Sequence, residues 1–151
     1  TDTAPVPPLD CDALNLAARE FTGDIQQKPP MVSAVKKDGV PLYKLARKGK
    51  TVEREAKPIH IYSYEFYEYT EPAARFRVHC TKGTYVRSLA HELGQRLECG
   101  AHLSALHRTQ SGNFNVADAT RLENLVKLPA EALPARMVSL LDIARMFLPA
   151  E

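Results

Sequence analysis

Apolar and polar positions alternate with a period of two along the middle of the chain. In "KPIHIYSYEFYEY", residues 57–69, apolar residues recur at every second position and the phase changes near Tyr62–Ser63. The segment "ARFRVHC" alternates strictly, with Phe76, Val78 and Cys80 on one face. This period predicts β-strands, and the change of phase predicts a bulge. Since only "TEPA" separates the two segments, we expect them to pair as antiparallel strands.

Three other segments carry the period of a helix. "LDCDALNLAAREFTG", residues 9–23, has one apolar stripe, with Asp10 or Asp12 able to cap its start and Gly23 suited to its end. "PLYKLARKG" predicts a short helix with a proline at its start and a glycine just after it. In "TYVRSLAHELGQRL", apolar residues fall at i, i+3, i+4, i+7 and i+11 from Val86, so we expect a helix that Thr84 caps and that tolerates Gly94.

The remaining segments are less regular. "QQKPPMVSAVKKDGV", residues 26–40, contains two prolines and a Lys-Asp-Gly turn, which predicts an exposed loop. "CGAHLSALHRTQSGNF" predicts a strand that ends in a Ser-Gly-Asn turn, and prolines separate short helices from Val116 onward. Strands and helices mix without a regular βαβ order, which predicts the α+β class, with a mixed, largely antiparallel sheet and flanking helices.

Composition narrows the class of protein. The 151 residues, 44% of them apolar and 25% charged, suit one folded domain. Neither an apolar run of membrane-spanning length nor a secretory leader is present in the sequence, so we expect a cytoplasmic protein without membrane contact. Three cysteines without CxxC spacing favour free thiols in a reducing compartment. Cys99 and His102, with His107 near, are interpreted as a buried thiol and surface imidazoles and not as a metal site.

Positive charge is concentrated in one segment. Residues 28–57 hold nine basic and three acidic side chains, a net charge of +6, although the whole chain carries only +2. Such a run is usually a solvated face, and a surface that binds a polyanion is the competing interpretation. Tyr43 lies among basic residues in "YKLARKGK", where an aromatic ring can stack on an unpaired base. This pattern indicates nucleic-acid binding without distinguishing RNA from DNA.

Three long motifs carry a resemblance to a known family. "GDIQQKPPMVSAVKKDGVPLYKLARKGKTVEREAKPI", "CTKGTYVRSLAHELG" and "CGAHLSALHRT" follow one another in the order and spacing of the bacterial TruB family of tRNA pseudouridine synthases. The match runs from about Asp10 to about Leu125. The resemblance implies the pseudouridine synthase catalytic fold, represented here in part.

The resemblance also implies an activity. Members of this family isomerise the uridine at position 55, in the T-loop of tRNA, by breaking its C–N glycosidic bond, turning the uracil and rejoining it through carbon. They flip the target base out of the loop, as chemistry on a stacked base requires. The implied partner is the T-arm of tRNA, the complete protein is expected to be monomeric, and neither a metal nor an organic cofactor is implied.

The family motifs assign expected roles to residues of this chain. Tyr85 would line the uracil pocket, Arg87 would pair with the catalytic aspartate, and Leu106 would lie at the pocket wall. Lys82 would lie at the edge of the site, with an open role. The segment from Gln26 to Lys50 matches a thumb-like insertion, placed at about residues 24–57, that closes over the T-arm. Its expected RNA-binding residues are Gln27, Lys28, Ser33, Lys36, Lys37, Tyr43, Lys44, Arg47 and Lys48.

Arg87 has a simpler alternative interpretation, a structural ion pair, and Tyr85 could be an ordinary core ring. An arginine near a helix start is not favoured by its own helix, because the helix dipole makes that end positive. A carboxylate opposite Arg87 would explain its position. Charge-assisted hydrogen bonds would keep that carboxylate ionised and fix its direction, as a nucleophile or base requires.

The most important departure of the chain from the family pattern concerns the catalytic aspartate. The aspartate motif that resembles "GTLDP" is absent from the 151 residues. We therefore expect residues 1–136 to be part of a catalytic domain, residues 137–151 to lead into a C-terminal RNA-binding domain, and this chain alone to be inactive. The N-terminal half could be a separate chain, an omitted segment or a true truncation, and residues could be missing between Thr3 and Ala4. A non-catalytic RNA-binding module on the same scaffold is the alternative function.

Overall fold

The computed structural model describes residues 4–147, and the expectations that concern residues 1–3 and 148–151 lie outside this range. The chain divides into two compact units, Thr1–Ser104 and Ala105–Glu151. Within residues 4–104, the first unit contains three α-helices and five strands: α1 (Cys11–Ala18), β1 (Gly23–Gln27), β2 (Lys36–Lys37), β3 (Val40–Pro41), α2 (Leu42–Ala46), β4 (Lys57–Thr70), β5 (Ala73–Cys80) and α3 (Val86–Arg96). The α+β class and the antiparallel sheet are confirmed.

The main sheet has the order β1-β4-β5, and both pairings are antiparallel. The register between β4 and β5 shifts between Ile61 and Ser63, which confirms the bulge predicted from the change of phase. A second shift, between Phe66 and Glu68, was not predicted from the sequence. The strict alternation of β5 is also confirmed, because its even-numbered residues are half-buried and its odd-numbered residues are exposed.

One apolar cluster joins the sheet to α1 and α3. Its members come from the two helices and from β4, the long central strand: Leu14, Ala18, Ile59, Ile61, Tyr64, Phe66, Leu89 and Leu93. Tyr64 and Phe66 also pack against Phe76 of β5, with ring centroids 5.1 and 5.3 Å away. Burial raises the pKa of the Tyr64 phenol well above its usual range. The apolar stripes of the two helices therefore meet one face of the sheet, as their spacing predicts.

Helix α1 begins as expected and ends earlier than expected. The Asp10 carboxylate accepts the Ala13 N–H at 2.8 Å, which confirms one of the two candidate caps. The regular helix ends at Ala18, a 3₁₀ turn follows at Arg19–Phe21, and Gly23 begins β1. The expectation that Gly23 ends the helix is wrong. Its φ of 85° lies in the left-handed region that glycine adopts without strain, and it lets the chain turn into the strand.

The side chain of Asn15, in α1, hydrogen-bonds backbone groups of β4 that β1 does not reach. Strand β1 pairs with β4 only as far as Ile61, so the backbone of Phe66 lies beyond the end of β1. The Asn15 side chain accepts the Phe66 N–H at 2.7 Å and donates to the Phe66 carbonyl at 3.0 Å. The amide thus makes the two hydrogen bonds that a residue of a neighbouring strand would make.

One expectation about α3 is wrong, and the expected place of Gly94 inside the helix is confirmed. The N-cap is Tyr85 and not Thr84, whose hydroxyl donates to the Thr81 carbonyl at 2.9 Å. Gly94 is required by packing and not merely tolerated. A Cβ at this position would lie 2.1 Å from the Ala101 nitrogen and 2.4 Å from the Gly100 carbonyl carbon. The chain after the helix returns across Gly94, and the Gly100 N–H donates to the Gly94 carbonyl at 2.9 Å.

The second unit consists of short elements. They are the hairpin β6 (Gln110–Ser111) and β7 (Phe114–Asn115), a 3₁₀ turn at Val116–Asp118, α4 (Leu122–Leu125), two 3₁₀ turns at Ala130–Ala132 and Pro134–Arg136, and α5 (Leu140–Phe147). The turn after Ser111 and the short helices were expected. The strand expected before that turn is wrong in length, because residues 101–109 are irregular and pairing begins at Gln110. Within residues 4–147, no helix has the length and apolarity needed to span a bilayer.

Candidate functional site

The basic segment forms a small folded insertion between β1 and β4. Its hairpin, β2 with β3, turns at Asp38 and Gly39, which both have positive φ, and α2 follows directly. Leu42 is only 1% exposed and its N–H donates to the Val35 carbonyl at 2.8 Å. Gly49, at φ 68°, lies in the turn that follows α2. The short helix with its flanking proline and glycine is confirmed.

The expectation of an exposed loop across residues 26–40 is wrong at two expected RNA-binding positions. Gln27 is the last residue of β1 and is 2% exposed, and Ser33 is 6% exposed beneath α2, where its carbonyl accepts the Tyr43 N–H at 3.1 Å. Both side chains are therefore shielded from solvent. The basic side chains do face solvent, and Tyr43 is half-buried; the exposed set is Lys28, Lys36, Lys37, Lys44, Arg47 and Lys48.

Tyr85 is held by the side chain of Gln27. The side-chain oxygen Oε1 of Gln27 accepts the Tyr85 backbone N–H at 2.7 Å, and the side-chain nitrogen Nε2 of Gln27 donates to the Tyr85 backbone carbonyl at 3.2 Å. The two residues are 58 positions apart in the chain. Because Tyr85 is the N-cap of α3 and has no side-chain cap of its own, Gln27 satisfies the N–H that would otherwise be open at this helix start. The end of β1 and the start of α3 are thereby joined.

The Arg87 side chain contacts the insertion that follows β1. Its guanidinium donates to the Val32 carbonyl, inside the insertion, at 2.9 Å. Within residues 4–104, no carboxylate lies within 4 Å of this guanidinium. The structural ion pair considered for Arg87 is therefore not formed in this unit. A guanidinium has five N–H donors, and the one bond to Val32 leaves capacity for a further acceptor.

Two further hydrogen bonds connect the insertion to the segment just before β4, and an open depression lies on its surface. The Arg54 guanidinium donates to the Pro29 carbonyl at 3.1 Å, and Lys37 donates to the Glu53 carbonyl at 2.9 Å. Next to the Arg87 contact, Val32, Tyr43, Ala46 and Arg47 line a depression of about 380 Å³. The Arg47 guanidinium carbon lies 5.5 Å from the centroid of the Tyr43 ring, within range of a cation–π contact.

Lys82 and Leu106 are the remaining expected residues of the site. Lys82 is exposed in the turn between β5 and α3. Leu106 belongs to the second unit, where it is 61% exposed in an irregular segment. Cys11, Cys80 and Cys99 are free and half-buried. Within the described residues, no three His, Cys, Asp or Glu side chains are grouped so that they could hold a metal ion.

Two models of one protein family match this chain and together cover it from end to end. Residues 1–86 match the model described as the TruB family pseudouridylate synthase N-terminal domain. The chain belongs to the TruB family. Residues 87–151 match a second model of this family, described as the tRNA pseudouridylate synthase B C-terminal domain. The two models meet inside the motif that contains Tyr85 and Arg87, so the cluster around Gln27 joins residues from both matched regions. The predicted domain boundary after residue 136 stays a prediction.

Relatives of the TruB family support this assignment. A tRNA pseudouridine synthase B of Opitutus terrae is 49% identical over 142 residues, which cover 94% of this chain and 59% of the relative. A Pseudomonas aeruginosa protein with the same description is 53% identical over 82% of this chain and 40% of its own length. The chain thus spans about half the length of the curated relatives it matches. A chain from a crystal structure of a Cbf5-Nop10-Gar1 complex has a TM-score of 0.63 and 34% identity, covering 80% of this chain and 32% of that chain.

Sequence reasoning missed Gln27 as a partner of Tyr85 and missed the Val32 carbonyl. Gln27 was visible in the first motif, but its position beside two prolines suggested a loop. A backbone carbonyl carries no sequence signal, since every residue has one. Tyr85 and Arg87 were selected as candidates because the family motif contains both, and their roles stay predictions.

Proposed function

We propose that this chain supplies the tyrosine–arginine side of a tRNA pseudouridine synthase site together with the insertion that binds the substrate. The substrate would be the T-arm of tRNA, and the reaction would convert the T-loop uridine, position 55, to pseudouridine. The observation that carries this proposal is the match of residues 1–86 to the TruB family, with Tyr85 bonded to the last residue of β1 and Arg87 bonded to the insertion that follows it. A bacterial tRNA-modifying enzyme would act in the cytoplasm.

Arg87 would orient the carboxylate that attacks or deprotonates the sugar–base unit. Its guanidinium is free of acidic partners within residues 4–104 and retains unused donors, so an incoming carboxylate could be bound through two parallel N–H groups. The positive charge would keep that carboxylate ionised. Tyr85 would line the uracil pocket, Leu106 would form part of its wall and Lys82 would lie at its edge.

The insertion would bind the RNA backbone. Six exposed basic side chains surround the hairpin and α2, and they can neutralise phosphates over a wide surface. The Tyr43 ring beside Arg47 offers a flat surface for an unstacked base. The burial of Gln27 and Ser33 argues against direct contact of their side chains with RNA, so we leave them out of this surface.

The chain by itself would not turn over substrate, because it contains no motif like "GTLDP" to provide the carboxylate. The missing group can be restored in a chimera in which this chain replaces the 142 matched residues of the Opitutus terrae relative. The proposal predicts pseudouridine formation by the chimera on a T-arm RNA hairpin and none by the isolated chain. Tritium release from 5-tritiated uridine measures this directly.

Arg87→Ala in the chimera tests the role of the guanidinium. We expect at least a 100-fold loss of the single-turnover rate, with RNA affinity within about twofold, because the phosphate-binding residues remain. Arg75→Ala is the matched control, since Arg75 is an exposed arginine of β5 that pairs with Glu68 at 3.3 Å. Equal rates for the two variants would remove Arg87 from the reaction, and turnover by the isolated chain would contradict its proposed inactivity.

A further inference from the structure

We propose that Gln27 is a positioning residue that sets the placement of Tyr85 and links the RNA-binding insertion to the site, and not a residue that contacts RNA. This inference rests on the proposed function for its catalytic consequence. The geometry that carries it lies within the first unit. Gln27 is among the most completely buried side chains of the described chain, and both ends of its amide are used by one residue.

The pairing is specific to a primary amide. The Tyr85 backbone offers one donor and one acceptor, and the Gln27 amide offers the complementary acceptor and donor. A carboxylate at this position would keep the bond to the Tyr85 N–H and would face the Tyr85 carbonyl with a second acceptor. An apolar side chain of the same length would fill the space and leave the Tyr85 N–H without this acceptor, whereas the Tyr85 carbonyl would keep the N–H donors of Ser88 and Leu89. Buried polar groups without partners are costly, so the amide fixes the backbone of Tyr85 more firmly than packing alone could.

The position of Gln27 in the chain gives this bond a second consequence. It is the last residue of β1, and the insertion begins at the next residue. Val32, five residues further, accepts the hydrogen bond from Arg87, and Arg87 lies two residues after Tyr85. The start of α3 is therefore bonded both to the end of β1, at Gln27, and to the first residues of the insertion, at Val32. Movement of the insertion when RNA binds would be transmitted to Tyr85 and Arg87 through these bonds.

Amide hydrogen exchange of this chain tests the bond itself without any RNA. Gln27→Met keeps the length and removes the hydrogen bonds, and we expect it to speed exchange of the Tyr85 N–H by at least 10-fold while core amides of β4 change little. Gln26→Met is the matched control, because Gln26 is the exposed neighbour on the same strand. Unchanged exchange at Tyr85 in Gln27→Met would overturn the inference whatever the enzyme does.

Kinetics of the chimera described above test the catalytic consequence. Gln27→Met should lower the single-turnover rate by about 10- to 100-fold and leave RNA affinity within about twofold, and Gln27→Glu should recover part of the rate because it keeps one of the two bonds. A side chain that contacts RNA would instead weaken RNA affinity, and a purely structural defect would lower rate and affinity together with the folded fraction. Either of these results contradicts the positioning role. An inactive parent chimera would refute the proposed function and the catalytic part of this inference. Hydrogen exchange would still show whether the Gln27 side chain protects the Tyr85 N–H.

Discussion

Gly94→Ala should destabilise the protein, although the same change in an ordinary helix would stabilise it. The new Cβ would lie 2.1 Å from the Ala101 nitrogen, 2.4 Å from the Gly100 carbonyl carbon and 2.6 Å from the Ala101 Cβ. Non-bonded heavy atoms prefer separations of about 3.5–4.0 Å. Since two of these three atoms belong to the backbone, no change of rotamer can relieve the overlap, and the segment after α3 must move away from the helix.

The size of the effect follows from three contributions. Alanine is better than glycine in a helix interior by about 1 kcal/mol. Overpacking costs about 1–3 kcal/mol, and the backbone contacts place Gly94 near the upper limit of that range. Displacing the segment also breaks the 2.9 Å bond from the Gly100 N–H to the Gly94 carbonyl, a loss of about 1 kcal/mol. The sum is a net destabilisation of about 3 kcal/mol.

Urea denaturation of this chain, followed by far-UV circular dichroism, measures this difference. Gln95→Ala is the matched control, because Gln95 is the exposed next residue of α3 and its replacement should change the free energy of unfolding by at most about 0.5 kcal/mol. A Gly94→Ala protein as stable as the parent would refute the reasoning. That result would mean that the segment carrying Gly100 and Ala101 does not cross the helix at this glycine.

Two further changes test the contacts of α1 and α3. Asn15→Leu should reduce the free energy of unfolding by about 1–3 kcal/mol, because it leaves the Phe66 N–H and carbonyl without their side-chain partner; Asp12→Leu, at an exposed position of the same helix, should not. Hydrogen bonds from Arg96 lower the pKa of Glu20, so the pair stabilises the folded state above the ordinary pKa of glutamate and loses this effect as the pH falls through the lowered value. Glu20→Gln should therefore lower the melting temperature at pH 7 and have no effect near pH 2. Burial raises the pKa of Glu92, so Glu92→Gln should raise the melting temperature at pH 7 instead, and the same sign for both variants would contradict these assignments.

Hydrophobic periodicity predicted the helices and strands in which one face is apolar and the other is polar. The alternation of β5, the bulge in β4 and the apolar stripe of α3 were all predicted and are all observed. These features depend on which face of one element is apolar, and a sequence shows this directly. The ends of the helices were harder to predict, as Thr84 and Gly23 illustrate. Where a helix ends depends on the path of the flanking chain, which the periodicity does not show.

Burial within the insertion was harder still. Two prolines and a run of lysines predicted an exposed loop, and most of its charged side chains are exposed as expected. Gln27 and Ser33 are nevertheless buried, because a strand extends to Gln27 and α2 folds over Ser33. Local composition reports the average exposure of such a segment and does not report which side chains the fold covers.

Periodicity, charge and motifs along the chain are enough to indicate the α+β class, the basic insertion, the family and the place of Tyr85 and Arg87 in its motif. Three features became visible only in the folded chain: Gln27 holds the Tyr85 backbone, Arg87 reaches the Val32 carbonyl and Gly94 must lack a side chain. Each of these contacts involves a backbone atom of another segment. Every residue carries such atoms, so no pattern of side chains marks the one that the fold brings within reach.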